Sequence, residues 1–215
     1  MMDALQTHWN AAYARWDEPA LPWFEPVPDL SIELVRRHVP ATGAAIDIGG
    51  GASRMVDALL DVGFAPVSVL DLSATALAVS QERLGARAGA VRWICQDVTR
   101  WTPTQGHVLW HDRAAFHFLT DADARRAYVK RLDQALAPDG VAIIAGFALD
   151  GPEKCSNLPV LRYAPETLLA EINTYAPTAF RLLDTRAHVH VTPGGTRQSY
   201  QVSVLGRAPG PQATS

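Results

Sequence analysis

Two stretches hold the residues best able to do chemistry. The first is Ala44-Ala45-Ile46-Asp47-Ile48-Gly49-Gly50-Gly51-Ala52-Ser53, an apolar run that reaches an acid and then opens into glycines. Glycines at the end of a strand let the backbone approach a ligand closely. Twenty residues past Gly51, the run Val67-Ser68-Val69-Leu70 ends in Asp71, and an acid at about that spacing can grip both hydroxyls of a ribose. Together they predict two strand ends meeting around a nucleoside. The second stretch, Leu109-Trp110-His111-Asp112-Arg113-Ala114-Ala115-Phe116-His117-Phe118, carries two histidines, an acid and a base within a few residues. A histidine that titrates near neutrality suits general-base work, and Asp112 or Arg113 could position an acceptor. Cys155, His188 and His190 are metal-capable types, and the alternation Ala187-His188-Val189-His190-Val191 puts both histidines on one face of a strand. Their spacing is no recognised ligand pattern, so no metal is expected.

These residues need a scaffold, and the 215-residue chain predicts one α/β domain over 1–207, with a tail at 208–215 rich in Pro, Gly and small residues that should be disordered. Strands are predicted near 44–49, 66–71, 91–95, 106–111 and 141–147, and helices near 53–63, 74–86, 122–136 and 165–173. Such alternation argues for a parallel sheet covered on both faces by helices. Runs 180–191 and 198–205, joined by Thr192-Pro193-Gly194-Gly195-Thr196, read as an antiparallel hairpin. Ahead of the first strand, residues 3–16 can form a helix with Leu5, Trp9, Tyr13 and Trp16 on one face, Trp16 being expected in the core. A proline-rich connection bearing Trp23 and Phe24 follows, then a helix near 31–38 that Pro40 ends.

Composition excludes some function classes. The apolar share of 48%, the charged share of 19% and the formal charge of −3 are ordinary for a soluble protein and give no reason to expect nucleic acid. Cys95 and Cys155 cannot make a disulfide framework, which favours a reducing compartment. The first residues lack the basic-then-apolar pattern of a signal peptide, and no apolar run approaches the roughly 18 residues that would span a bilayer. A cytoplasmic protein with no membrane partner is the expectation.

The motif set resembles that of class I, S-adenosylmethionine-dependent methyltransferases over roughly residues 8–206. Asp47, Gly49 and Gly51 match the family's first motif, an acid followed by Gly-x-Gly. Asp71 matches the acid that holds the ribose, with Leu72 against the adenine. Asp97 matches the acid that bonds the adenine amino group, with Val98 donating a backbone N–H. The segment Ala137-Pro138-Asp139-Gly140 matches the turn before the fifth strand. The resemblance implies a seven-stranded, mostly parallel, Rossmann-like sheet closed by the C-terminal hairpin, with S-adenosylmethionine as cofactor and S-adenosylhomocysteine as product. A narrower resemblance, in His8-Trp9-Asn10-Ala11-Ala12-Tyr13 and Pro22-Trp23-Phe24, is to lysine methyltransferases acting on elongation factor. It implies that Trp9, Tyr13 and Trp23 line the donor's pocket, where aromatic faces attract the sulfonium, and that residues 1–40 form a lid. His111 stands where that subgroup carries a donor-contacting lysine. Residues 147–163 resemble a segment of bacterial members of the class.

The implied activity is methyl transfer to an N, O or S nucleophile, with His111, Arg113 and His117 as catalytic candidates. The acceptor is either a small molecule, the preferred reading, or a protein lysine. Two other classes compete. A nicotinamide-dependent dehydrogenase is disfavoured, because Arg54 stands where the third glycine of Gly-x-Gly-x-x-Gly belongs. A non-catalytic module that only holds the donor or its demethylated product would carry the same motifs.

Overall fold

In the computed structural model, residues 2–39 and 42–209 are described, and they build a seven-stranded sheet flanked by helices. Its strands are β1 (Ala45–Ile48), β2 (Val67–Asp71), β3 (Val91–Cys95), β4 (His107–Arg113), β5 (Leu136–Phe147), β8 (Phe180–Val191) and β9 (Arg197–Arg207). A separate two-stranded hairpin, β6 (Lys154–Cys155) and β7 (Leu158–Pro159), lies between β5 and β8 in the chain. The order across the sheet is β3-β2-β1-β4-β5-β9-β8, parallel as far as β5 and antiparallel through β9 and β8. Every residue of β1 and β2 is buried, as expected of parallel strands with helices on both faces.

The helices are α1 (Met2–Arg15), α2 (Asp29–His38), α3 (Met55–Val62), α4 (Ala74–Leu84), α5 (Ala122–Ala135) and α6 (Pro165–Tyr175). One core holds Leu34 and Val35 of α2 with Met55 and Leu59 of α3 against the sheet. The other holds Tyr128 and Leu132 of α5 with Leu168 and Ile172 of α6. The chain leaves β1 toward β2 on one side, while β4 takes its other side. That reversal opens a crevice at the strands' C-terminal ends. None of the helices is long and apolar enough to cross a membrane among the described residues.

Two expectations need correction, at Trp16 and at the turn before the fifth strand. Trp16 is 49% exposed, with the Arg15 guanidinium over its ring, and Leu5 is 37% exposed. The helix therefore presents Trp9 and Tyr13 inward while its ends run past the domain. β5 begins at Leu136, which pairs with His107 ahead of a register shift, so Ala137–Gly140 belong to an irregular strand rather than to a free turn. The 150–163 segment folds back on itself at Ser156 and Asn157, both with positive φ, so that β6 and β7 pair. Of the tail, residues 210–215 lie outside the described residues.

Candidate functional site

The predicted strand-end residues converge on the switch point. β1 and β4 are in register at Asp47 and His111, and their buried side chains meet: His111 Nδ1 lies 2.6 Å from Asp47 Oδ1. The other ring nitrogen, Nε2, lies 2.9 Å from Ser31 Oγ on α2. Asp47 Oδ2 is buried without a partner. Past β1 the chain turns through Gly49 and Gly51, at φ of +66° and +41°. A Cβ on Gly51 would stand 2.8 Å from Tyr13 Oη and 3.0 Å from Asp71 Oδ2, so only glycine fits there.

Asp71, at the end of β2, accepts the Ser73 N–H on Oδ1 at 2.7 Å. Ser73 also caps α4 by accepting from the Ala76 N–H. Burial, with the Asp47 charge adding to it, pushes the Asp71 carboxyl up to about 7. Leu72 is half-buried, and its carbonyl accepts from Gln6 Nε2 at 3.0 Å. After β3, Asp97 Oδ1 accepts from the backbone N–H and hydroxyl of Thr99, and Val98 is buried.

The N-terminal segment closes over this ground. Ser73 Oγ donates to Asn10 Oδ1, which seats α1 beside Asp71. Trp23 Nε1 donates to Tyr13 Oη at 3.2 Å, and Trp9 packs edge-on between Trp23 and Phe118, with centroids 5.7 and 5.1 Å away. A pocket remains beneath, lined by Tyr13, Trp23, Asp47, Gly49, His111 and Arg113 among others.

The residues after β4 divide into three fates. Asp112 is fully buried and accepts the N–H groups of Ala115 and Phe116 and the Tyr128 hydroxyl; it holds the turn and has no capacity left for an acceptor. Arg113 reaches outward, 2.9 Å from Glu25 Oε1, and donates to the Trp23 carbonyl at 2.9 Å. It therefore ties the 17–28 connection to β4. His117 is buried between Phe118 and Phe147 with neither ring nitrogen partnered. Burial, with Arg113 adding to it, depresses its pKa to about 3, so it holds no second proton at neutral pH.

His188 and His190 share a face at the C-terminal end of β8, as the alternation predicts, but the fold groups them with Glu25 rather than with Cys155. The ligating atoms of Glu25, His188 and His190 lie within 4.8 Å of one another. Arg113 already brings a positive charge to that carboxylate. His190 donates Nε2–H to the Pro22 carbonyl at 2.8 Å. Sequence reading passed over Glu25, Ser31 and Tyr200. Counting back across the Thr192–Thr196 turn would have found Tyr200, which the register sets opposite His188. Nothing in the sequence pairs Ser31 or Glu25 with β4.

Residues 45–140 match the family described as methyltransferase domain. That match makes residues 45–140 a methyltransferase domain. Among solved structures, this chain resembles one from work on the conversion of a disulfide bond into a thioacetal group during echinomycin biosynthesis. The TM-score is 0.72 at 18% identity, over 97% of this chain and 94% of that one. The Burkholderia thailandensis 1,6-didemethyltoxoflavin-N1-methyltransferase, solved with its substrate and S-adenosylhomocysteine, aligns with TM-score 0.68 and 21% identity over 96% and 86% of the two chains. A glycopeptide N-methyltransferase in complex with S-adenosylmethionine gives 0.64 and 14% over 87% and 96%. At these identities the likeness is one of fold. No curated protein matches the sequence. The methyltransferase-domain match marks an enzyme, and the ligands named for these relatives include S-adenosylmethionine and S-adenosylhomocysteine.

Proposed function

We propose that this methyltransferase modifies an N, O or S atom of a small molecule, with residues 1–40 acting as a lid over donor and acceptor. The observation that carries the reading is the roof over the crevice: Trp9 wedged between Trp23 and Phe118, and Arg113 clamping the 17–28 connection through Glu25 and the Trp23 carbonyl. Such a roof suits a compact acceptor better than an extended polypeptide. The structural relatives named for a toxoflavin precursor and for glycopeptides support the same reading.

The residues fit the donor. The cradle at Gly51 admits no side chain, Asp71 keeps an oxygen turned toward that cradle, and Asp47 Oδ2 lacks a partner that a donor ammonium could supply. In this reading Asp71 holds the ribose hydroxyls, Leu72, Asp97 and Val98 border the adenine, and Tyr13, Trp9 and Trp23 face the sulfonium. His111 fixes Asp47. When bound there, S-adenosylmethionine would supply a methyl group activated by its sulfonium. The chain's part is alignment, which can be worth about 7–11 kcal/mol of barrier, and exclusion of water by the lid.

Deleting residues 1–24 is expected to lower donor affinity at least tenfold in calorimetry, since each ring contributes roughly 0.5–2 kcal/mol to holding a cation. Circular dichroism should report the sheet domain intact. Unchanged affinity would remove the lid from the mechanism.

The second reading, a protein lysine acceptor, rests on the Trp9/Tyr13 and Trp23 pattern. Tritium transfer from labelled S-adenosylmethionine separates the two. Label is expected in metabolite extracts stripped of protein; label confined to the protein fraction reverses the assignment.

A further inference from the structure

The two histidines near the end of β8 have no part in holding the donor, yet with Glu25 they have the geometry of a ligand set. Glu25 lies in the 17–28 connection, and the alternation of β8 turns both histidines to one face. Their spacing in the sequence predicts no metal, because the third member comes from a distant segment. Glu25 Oε1 lies 3.6 Å from His188 Nε2 and 3.7 Å from His190 Nδ1, and all three atoms fall within 4.8 Å of one another. Such separations are too long for hydrogen bonds. They are close to the spacing that a shared ion imposes, since ligands bound at about 2.0–2.2 Å in a tetrahedron stand about 3.4 Å apart. Among the described residues, no other three His, Cys, Asp or Glu side chains converge in this way.

The imidazole of His190 is set for coordination. Its Nε2 lies 2.8 Å from the Pro22 carbonyl, which can only accept, so Nε2 carries the hydrogen and Nδ1 keeps its lone pair. A backbone carbonyl that fixes tautomer and ring orientation is the usual outer partner of a metal-binding histidine. Arg113 marks the same point as one that calls for positive charge. Its Nη2 stands 2.9 Å from Glu25 Oε1 and 3.4 Å from His190 Nδ1, near where an ion bound to both would lie. The side chain has other holds when Nη2 gives way. Nη1 donates to the Trp23 carbonyl, and the guanidinium sits over the Tyr200 ring.

The geometry points to Glu25, His188 and His190 as a site for a divalent ion of the zinc class. Two imidazoles with one carboxylate suit zinc and its transition-metal neighbours, whereas calcium and magnesium want oxygen ligands. Three protein ligands leave a fourth position open, as in catalytic rather than structural zinc sites. Glu25 and Arg113 line the pocket that reaches Asp47 and His111. The ion therefore stands at that pocket's rim, where its open position can take water or a heteroatom of a ligand. Binding exchanges Glu25's tie to β4 for one to β8, while the Trp23 carbonyl stays on Arg113. The site is independent of which acceptor the enzyme uses.

Titration of zinc into the metal-stripped full chain, against a chromogenic chelator, tests this. One ion per chain is expected, at micromolar affinity because Arg113 contests the carboxylate. Glu25→Gln and His188→Gln replace partly exposed side chains, so the fold is not at risk, and each should weaken binding at least tenfold. Cys95→Ser removes an exposed thiol and should change nothing. Arg113→Gln frees the carboxylate from a competing charge and should tighten binding severalfold. Excess magnesium should not displace zinc. Zinc should raise the melting temperature of the unaltered chain and not that of Glu25→Gln. No zinc binding, binding that survives both ligand substitutions, or binding that is lost with Cys95 overturns the proposal.

Discussion

Asp71→Asn is expected to remove tight S-adenosylmethionine binding and to make the protein more stable above pH 7. The carboxylate reads as the acceptor of two ribose hydroxyls, and hydrogen bonds to a charged group contribute about 1.5–3 kcal/mol each. Losing both lowers affinity by at least about a hundredfold. The stability effect has the opposite sign. The folded pKa of about 7 stands above the ordinary 3.8, so between those values the folded chain holds a proton that the unfolded chain has released. The stability associated with that proton is complete below pH 4 and is lost as pH rises through 7, amounting to about 4 kcal/mol by linkage. Asparagine keeps an oxygen for the Ser73 N–H and carries no charge to desolvate. Melting temperature should therefore rise on the order of 5–10 °C at pH 8 and change little at pH 4. A variant that binds the donor normally would show that Asp71 is not the ribose ligand, and one that gains no stability at pH 8 would show that it is not a strained acid. A site that lowers stability until its ligand arrives is a common trade in enzymes.

The convergence of Asp47, Gly51 and Asp71 was legible because these residues sit at the ends of strands that periodicity locates well. Asp47, Gly51 and Asp71 each follow an apolar run, and a parallel sheet forces consecutive strand ends into one crevice. The surroundings of Arg113 and Phe147 were not, because they depend on contacts between distant segments. Glu25 meets Arg113 across 88 residues of chain, and Tyr200 meets Phe147 only through the register of an antiparallel strand. The apolar spacing of Leu5, Trp9, Tyr13 and Trp16 suggested a uniformly buried face. The helix instead lies across a crevice, which buries its middle and leaves both ends in water. Residue type alone also made Asp112 look reactive, although the tight turn after β4 consumes both its oxygens.

His111→Ala is expected to act on folding before it acts on turnover. Both ring nitrogens are engaged, one by Asp47 at 2.6 Å and the other by Ser31 at 2.9 Å, and all of this lies in the buried switch point between β1 and β4. Removing one member of a buried pair strands the other's charge, a loss of about 3–5 kcal/mol. A general base of ordinary design would instead lose kcat with stability preserved. The double variant Asp47→Asn/His111→Ala decides between these, because it removes the stranded charge. If His111 serves mainly to hold Asp47, denaturant melts should find the double variant more stable than His111→Ala alone, with a coupling of 1 kcal/mol or more between the sites. Additive losses would break the link between the two residues. Donor binding adds a second readout: Asp47 Oδ2, the oxygen left over by His111, faces the glycine turn, where a Cβ on Gly50 would stand 2.5 Å from it. An imidazole that fixes that oxygen sets where the donor's amino end can sit, so His111→Ala should raise the donor's Kd more than it changes the rate from the bound complex.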